Sequence, residues 1–368
     1  MKIPFINFDQ QNDLIRNEVL ESIKKIFDSK NYVLGSNVSK FETNYSQINK
    51  TKYSVGVGSG LDALIISLKA LNITKGDEVI IASNAYIASW LSISNVGATI
   101  IPVEPDLETF NIDVDKIESM ITSKTKVIMP VHLFGQSCNM DKIMSISKKY
   151  NLYVVEDNAQ GHLAKYDSKN TGTFGNINAT SFYPTKNLGA IGEAGCITTN
   201  DKNLRDFVIS FRNYGSKEKY INDIIGTNSR LDEIQAGILN VKLKYIQKWN
   251  NDRKIIASKY YEFLSSCKYL KLPKKLNKCE HIYHLYVIKT RKRDELQRYL
   301  SQKGIGTSIH YPIPPHLQKA YSGLEFKKGD FPIAEKLAKT SLSLPIYPGL
   351  SDSEIQYTCD TIIKFFKN

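Results

Sequence analysis

Apolar residues along this 368-residue chain fall first at helical spacing and then in short unbroken runs. Leu14, Ile15, Val19, Leu20, Ile23, Ile26 and Phe27 recur on one side of a 3.6-residue period, which predicts an opening amphipathic helix over residues 11–28. Apolar runs follow at 54–57, 78–82, 99–103, 127–131 and 152–155, and each reads as a strand. Between them lie helical patterns that start near Gly60, Tyr86, Asp113 and Met140. Strands that are apolar on both faces and alternate with helices predict an α/β fold with a mostly parallel sheet covered on both sides.

Farther along, residues 229–263 read as one long helix with Leu231, Ile234, Ile238, Leu239, Leu243 and Ile246 on its apolar side. The pattern changes near Leu272-Pro273, with an alternating strand at 282–288, a helical stretch at 293–302 and a turn-rich segment from Tyr311 to His316. The long helix is read as joining two domains. The expected division is a large α/β domain over 1–245 and a smaller α+β domain over 246–368.

Composition narrows the class. With 42% hydrophobic and 23% charged residues the chain is globular, neither disordered nor fibrous. The start, Met1-Lys2-Ile3-Pro4-Phe5, carries no secretory core, and no stretch reaches the ~20 apolar residues of a membrane span. A soluble, cytoplasmic protein without a membrane partner is expected. Cys138, Cys196, Cys267, Cys279 and Cys359 are odd in number and scattered, which predicts reduced thiols and no metal site. The net charge of +12 favours anionic partners. Lysines such as Lys142, Lys148, Lys149, Lys242, Lys244 and Lys248 are spread along amphipathic stretches, so they read as a solvated helix surface and no nucleic-acid partner is expected.

Ligands of open α/β sheets bind beyond the carboxyl ends of strands, and candidate chemistry gathers at those ends. Gly56-Val57-Gly58-Ser59-Gly60-Leu61-Asp62 is a Gly-rich turn opening a helix, whose free N–H groups suit a phosphate. The same segment also fits a plain strand-to-helix turn capped by Ser59 or Asp62. Tyr86 places a ring at a helix start, where it can stack on a planar group or join the core. Glu156-Asp157-Asn158-Ala159-Gln160 ends a strand with two carboxylates and an amide, and Asp157 alone would equally serve as a helix cap. Lys186 decides between these readings. It stands 29 residues after Asp157 on a Gly-rich turn between Ser181 and Gly192, flanked by Tyr183, Pro184, Leu188 and Ile191. Partial burial there lowers an amine's pKa, and an amine facing a carboxylate at a strand end is what pyridoxal phosphate requires: Lys186 joins the cofactor aldehyde and Asp157 holds the pyridine nitrogen protonated.

These motifs, GSGLDAL at 58–64, NAYIAS at 84–89, PVHLFGQ at 130–136, EDNAQ at 156–160, SFYPTKNLG at 181–189, GTNSRLDEIQA at 226–236 and IHYP at 309–312, resemble the DegT/DnrJ family of nucleotide-sugar aminotransferases over nearly the entire chain. The resemblance implies fold type I, an aspartate-aminotransferase-like large domain with a mostly parallel mixed sheet, and pyridoxal 5'-phosphate as cofactor. It implies that Lys186 and Asp157 are catalytic, that Gln160 contacts the ring hydroxyl and that Tyr86 covers one ring face. Ser59, Gly60, Leu61 and Ser181 would cradle the phosphate. Asn228 would reach the other subunit's cofactor, giving a homodimer with shared active sites. His162, Tyr183, His310 and Tyr311 fall where relatives line the sugar pocket.

The implied reaction moves an amino group, with L-glutamate as expected donor, to a nucleotide-linked keto-deoxysugar in amino-sugar biosynthesis for surface glycans such as O-antigen. Leu61 resembles the branch that aminates C-3 of dTDP-3-keto-6-deoxyhexoses, whereas C-4 branches more often carry a small hydroxyl residue there. Thr185 and Asn158 depart from the Gly and Ala of many relatives and leave the cofactor assignment untouched. Dehydratases on the same scaffold generally carry histidine where this chain has Lys186. A non-catalytic regulatory or nucleic-acid-binding protein is the alternative from another class.

Overall fold

The computed structural model describes residues 1–367; Asn368, the last residue of the expected second domain, lies outside them. The apolar runs become strands β1 (Tyr53–Val57), β2 (Glu78–Ala82), β3 (Thr99–Val103), β4 (Thr125–Met129) and β5 (Tyr153–Asp157). After the two-residue strands β6 (Lys165–Tyr166) and β7 (Lys169–Asn170) come β8 (Ile177–Ser181) and β9 (Gly195–Thr199). Seven strands form one sheet in the order β1-β9-β8-β5-β4-β2-β3. Neighbours run parallel except β9, which is antiparallel to both β1 and β8. The sheet is the mostly parallel, mixed one expected.

Strands β8 and β9 are buried along their whole length yet carry polar residues, so no apolar run announces them. Their polar groups are satisfied within the sheet layer: Asn178 Nδ2 donates to the Gly172 carbonyl at 3.0 Å, and Thr198 Oγ1 donates to the same oxygen at 2.7 Å.

Helices α1 (Asp9–Ser29), α2 (Ser36–Asn49), α3 (Gly60–Ala70), α4 (Ile87–Asn95), α5 (Met140–Tyr150) and α6 (Lys202–Phe211) cover this sheet and its edges. The pattern near Asp113 yields only two 3-10 turns, Val114–Lys116 and Glu118–Met120, with Asp113 capping Asp115 at 3.2 Å and the backbone closing i→i+3 hydrogen bonds. The long helix expected over 229–263 is two helices, α7 (Glu233–Leu243) and α8 (Ile246–Leu264). At the break, Lys244 and Tyr245 donate to carbonyls three residues back, and Glu18 on α1 accepts from both side chains, 2.6 Å from Lys244 Nζ.

Beyond the hairpin β10 (Ser216–Glu218) with β11 (Ile221–Asn222) and the short β12 (Cys279–Glu280), the chain pairs β13 (Tyr286–Lys289) with β14 (Ser341–Leu344). The strand expected at 282–288 starts only at Tyr286. Its first half docks on the sheet's loops instead, with Ile282 N–H donating to the Gly135 carbonyl at 3.0 Å and Leu285 N–H to Phe134 at 3.3 Å. Helices α9 (Arg293–Gln302), α10 (Pro332–Thr340) and α11 (Asp352–Lys367) complete this region.

Most buried side chains of the sheet and its helices form one large core, from Val55 through Leu337, while α2 packs on Phe182 and Cys196 beside it. A second core gathers Ile256 and Tyr260 of α8, Tyr286, Ile288, Leu296, Leu342 and Ile355, together with Ile3 from the far N-terminus. Ile3 is held there by its N–H to Gly304 at 2.8 Å and by Gly306 N–H to its own carbonyl at 2.7 Å. Among the described residues, no helix is long and apolar enough to cross a membrane.

Candidate active site

Strand β5 ends in two consecutive acids that face opposite sides, as a pleated strand requires. Asp157, 5% exposed, accepts from Ser89 Oγ at 2.6 Å on Oδ2 and from Ala159 N–H at 3.0 Å on Oδ1. Ser89 lies in the first turn of α4, the helix that Tyr86 opens. Glu156 is fully buried and accepts from Gly172, Phe174 and Gly175 N–H at 2.8, 2.6 and 2.8 Å, and from His132 Nε2 at 2.7 Å. Because His132 Nδ1 accepts from Cys138 N–H at 3.1 Å, the imidazole proton sits on Nε2. Burial pushes the Glu156 carboxyl up, but these hydrogen bonds together outweigh it and hold the pKa below the ordinary value.

Three residues after Asp157, Gln160, 5% exposed, accepts from Phe134 N–H at 2.6 Å and donates to the Tyr311 hydroxyl at 3.1 Å. The Tyr311 ring lies 5.0 Å from that of Tyr86, with the planes tilted by 34°. Tyr86 itself is 46% exposed, so one ring face remains open.

Lys186 sits on the turn after β8, its N–H bonded to the Tyr183 carbonyl at 2.8 Å. Only glycine closes this turn at position 189, since a Cβ there would fall 2.3 Å from the Pro184 oxygen. The lysine is half-buried. Burial lowers its ammonium pKa to about 8, and the Asp157 carboxylate partly opposes that shift.

The start of α3 faces the same place. Ser59 caps the helix, its Oγ accepting from Asp62 N–H at 3.0 Å, and Gly60 packs so closely on Ser181 that a Cβ would meet Ser181 Cβ at 2.4 Å. Leu61 is half-buried beside it. Ser229 Oγ accepts from Gly58 N–H at 2.9 Å and donates to Asp62 at 2.8 Å, which fixes the segment bearing the exposed Asn228 beside this turn. A cavity of about 740 Å³ lined by Glu18, Asn37, Asn240 and Lys244 includes none of these site residues.

A model of the DegT/DnrJ/EryC1/StrS aminotransferase family matches residues 13–363. The chain belongs to that family. It is a pyridoxal-phosphate-dependent sugar aminotransferase. This aminotransferase is 46% identical over 363 residues to the dTDP-3-amino-3,6-dideoxy-alpha-D-galactopyranose transaminase of Aneurinibacillus thermoaerophilus, covering 99% of each chain. It is 39% identical over 370 residues to a pleiotropic regulatory protein of Geobacillus stearothermophilus, covering 100% of both. The fold matches that of S. venezuelae DesV in complex with a ketimine intermediate, with a TM-score of 0.98 at 38% identity over 100% of this chain and 99% of that one.

The aminotransferase's own residues fit the cofactor. They supply an amine with a lowered pKa, a buried carboxylate with acceptor capacity beyond its two donors, and a helix N-terminus where Gly60 leaves no room for a side chain. Ser59's hydroxyl oxygen accepts the capping bond, so the cap is present, and its own O–H and the backbone N–H groups remain free to donate to a phosphate.

Of the residues expected in the sugar pocket, Tyr183 is exposed, and His310 and Tyr311 are half-buried near Lys186. His310 Nδ1 lies 2.8 Å from Ser343 Oγ, its ring stacks 5.7 Å from Phe5, and burial together with the Lys186 charge lowers its pKa to about 4. His162 is 1% exposed, and its Nε2 bonds the Ser181 carbonyl at 2.9 Å beside Phe182, so it braces the strand end. Burial, with the Lys186 charge adding, lowers its pKa to about 3. Sequence reasoning passed over Ser89, His132 and Ser229. Ser89 stands three residues after Tyr86 and His132 within the 130–136 motif, but neither position shows which acid it meets.

Proposed function

We propose that this aminotransferase moves the amino group of L-glutamate to the C-3 keto carbon of a dTDP-linked 3-keto-6-deoxyhexose, in amino-sugar biosynthesis for surface glycans. The reading is carried by one arrangement: a half-buried amine softened to about 8 on the Lys186 turn, placed within electrostatic reach of Asp157. The relative named for a dTDP-3-amino sugar, at 46% identity, supports the position and the nucleotide, as does Leu61 in the α3 turn.

Bound pyridoxal phosphate supplies an aldehyde that takes up the donor nitrogen and a ring that accepts the electron pair left when the donor carbon loses a proton. Lys186 Nζ would take that proton from the glutamate α-carbon and deliver it to the carbon that had been the aldehyde, and in the second half-reaction it would work in reverse on the sugar side. A pKa of about 8 leaves roughly a tenth of the free amine neutral at pH 7, against under a thousandth for an ordinary lysine. Asp157, steadied by Ser89 and Ala159, holds the ring nitrogen. Gln160 has a second amide proton for the ring hydroxyl, and Tyr86 offers its open face to the ring. Ser59, Gly60, Leu61 and Ser181 surround the phosphate, and the exposed Asn228 reaches the partner's site in a cytoplasmic homodimer. Tyr183, His310 and Tyr311 line the sugar pocket. The gathering of a second core from α8 onward supports the division into domains over 1–245 and 246–368.

The test is to supply the dTDP-3-keto and dTDP-4-keto 6-deoxyhexoses in separate assays with L-glutamate and locate the new nitrogen by NMR. Nitrogen at C-3 with release of 2-oxoglutarate is expected, and nitrogen at C-4 moves the enzyme to the neighbouring branch. Lys186→Ala is expected to lose turnover and the visible absorbance together, and turnover retained in that variant overturns the assignment. A regulatory role is favoured only by relatives' names, such as that of the Geobacillus protein; absorbance indifferent to glutamate would count for it.

A further inference from the structure

Behind the Lys186 turn runs a chain of buried polar side chains with no part in the chemistry above. Asn187, next to the reacting amine and 2% exposed, donates from Nδ2 to Asn250 Oδ1 at 2.8 Å and to the Ile282 carbonyl at 3.4 Å. Its Oδ1 lies 3.1 Å from His284 Nδ1, and since an amide oxygen only accepts, His284 carries its proton on Nδ1. Asn250 Nδ2 donates onward to the His162 carbonyl at 2.8 Å, and His162 Nε2 donates to the Ser181 carbonyl at 2.9 Å. Both ends of the 181–187 segment are therefore clamped, Ser181 by His162 and Asn187 by His284 with Asn250.

His284 is itself fixed from two sides. The segment that carries it docks on Phe134 and Gly135, and buried Arg253 of α8 donates from Nη1 to the carbonyls of Tyr283, His284 and Ile346 at 3.3, 3.2 and 2.9 Å. The Ile346 side chain belongs to the second core. The lysine turn is thus braced by α8 and by the segment just before β13, both of which feed that core.

We propose that His284 is a positioning residue for the transamination: by holding Asn187 through Nδ1–H it sets where the Lys186 amine stands, and it ties that placement to the second domain. The inference rests on the reading of Lys186 as the reacting amine. The charged and titratable groups around the amine are Asp157, His162, His284, His310 and Arg253. Burial, reinforced by the Lys186 and Arg253 charges, holds the His284 pKa well below its ordinary value. The imidazole therefore acts through hydrogen-bond geometry, with no charge of its own.

The experiment compares the holoenzyme with His284→Ala, His284→Leu and His284→Asn. Asparagine keeps an N–H donor near the place of Nδ1, while leucine keeps bulk and removes the donor. In Ala and Leu, kcat is expected to fall about ten- to a hundredfold, as for a reacting group displaced by about 1 Å, with KM for L-glutamate within about twofold. The pH midpoint of the cofactor's visible absorbance is expected to rise by about one unit as water reaches the amine. His284→Asn is expected to recover most of both. Wild-type kcat and midpoint in Leu, or equal impairment in Leu and Asn, overturns the proposal, and Leu carries this test if Ala does not fold. Lys186→Ala assayed alongside separates the failures: if it is inactive while all His284 variants match wild type, only this inference falls.

Discussion

Glu156 and Asp157 are neighbours of equal charge, and the two faces of β5 give them opposite work. On one face, three backbone N–H groups and the His132 imidazole occupy the Glu156 carboxylate, which has roughly four acceptor sites and so has none to spare. On the other, Asp157 meets only Ser89 and Ala159 N–H and retains room for a ligand's proton. A carboxylate saturated by its own chain is a structural device that ties the loop 172–175 to the sheet. One left half-satisfied at a strand end, beside a softened amine, is available for chemistry.

The sharpest way to break this contrast is to neutralise each acid in turn. Asp157→Asn is expected to lower kcat by about a thousandfold, within the range of a group acting on the transition state, with the thermal midpoint moved by about 2 °C or less. If Glu156→Gln costs as much turnover without unfolding more readily, the two faces have been assigned the wrong way round.

Glu156→Gln is expected to act on stability instead. Breaking a buried, hydrogen-bonded charge costs about 3 kcal/mol, to be read from denaturant unfolding at pH 7. The sign follows from the depressed pKa of Glu156: its contribution is present above the ordinary value and is lost as pH falls through the lower native one. The wild type should therefore lose stability below about pH 4.5 by a component that the glutamine variant lacks.

Lys186 tests the amine side of the contrast. Its native pKa is lowered, so the unfolded chain binds more protons between about 8 and 10.5, and stability rises with pH across that window. Without cofactor, Lys186→Met is expected to be more stable than the wild type by about 2 kcal/mol at pH 7, an advantage that shrinks as pH climbs toward 10.5. Thermal melts of the two apoproteins at both pH values check it, and an advantage that persists at high pH would sink it.

The smallest effect belongs to Ser89→Ala, which removes one of the two donors to Asp157. A loss of about 1.5 kcal/mol, roughly tenfold in kcat/KM, is expected. Indifference to this change would mean that Ala159 N–H and the ligand suffice to aim the carboxylate.

The alternation of β1 to β5 with helices was legible because strands covered on both faces must be apolar throughout, and that rule is local. Strands β8 and β9 broke it: Asn178, Thr180 and Thr198 sit in the interior and find partners across the layer, so no apolar run marks them. The helix expected to run unbroken from 229 to 263 kept its periodicity through Leu243 and Ile246, yet the chain breaks there, with Lys244 and Tyr245 bonded to carbonyls three residues back. The segment near Asp113 stops short of an α-helix as two 3-10 turns.

Sequence by itself determined that an amine and a carboxylate would stand at strand ends in a parallel α/β sheet, because motif spacing and strand period are properties of short stretches. Tertiary structure alone decided which groups they meet. Ser89 reaches Asp157 across 68 residues, His284 reaches Asn187 across 97, and His162 is buried against the Ser181 carbonyl. Hydrogen bonds and burial act between surfaces that only the folded chain brings together, so residue type is written in the sequence while a residue's surroundings are set by packing.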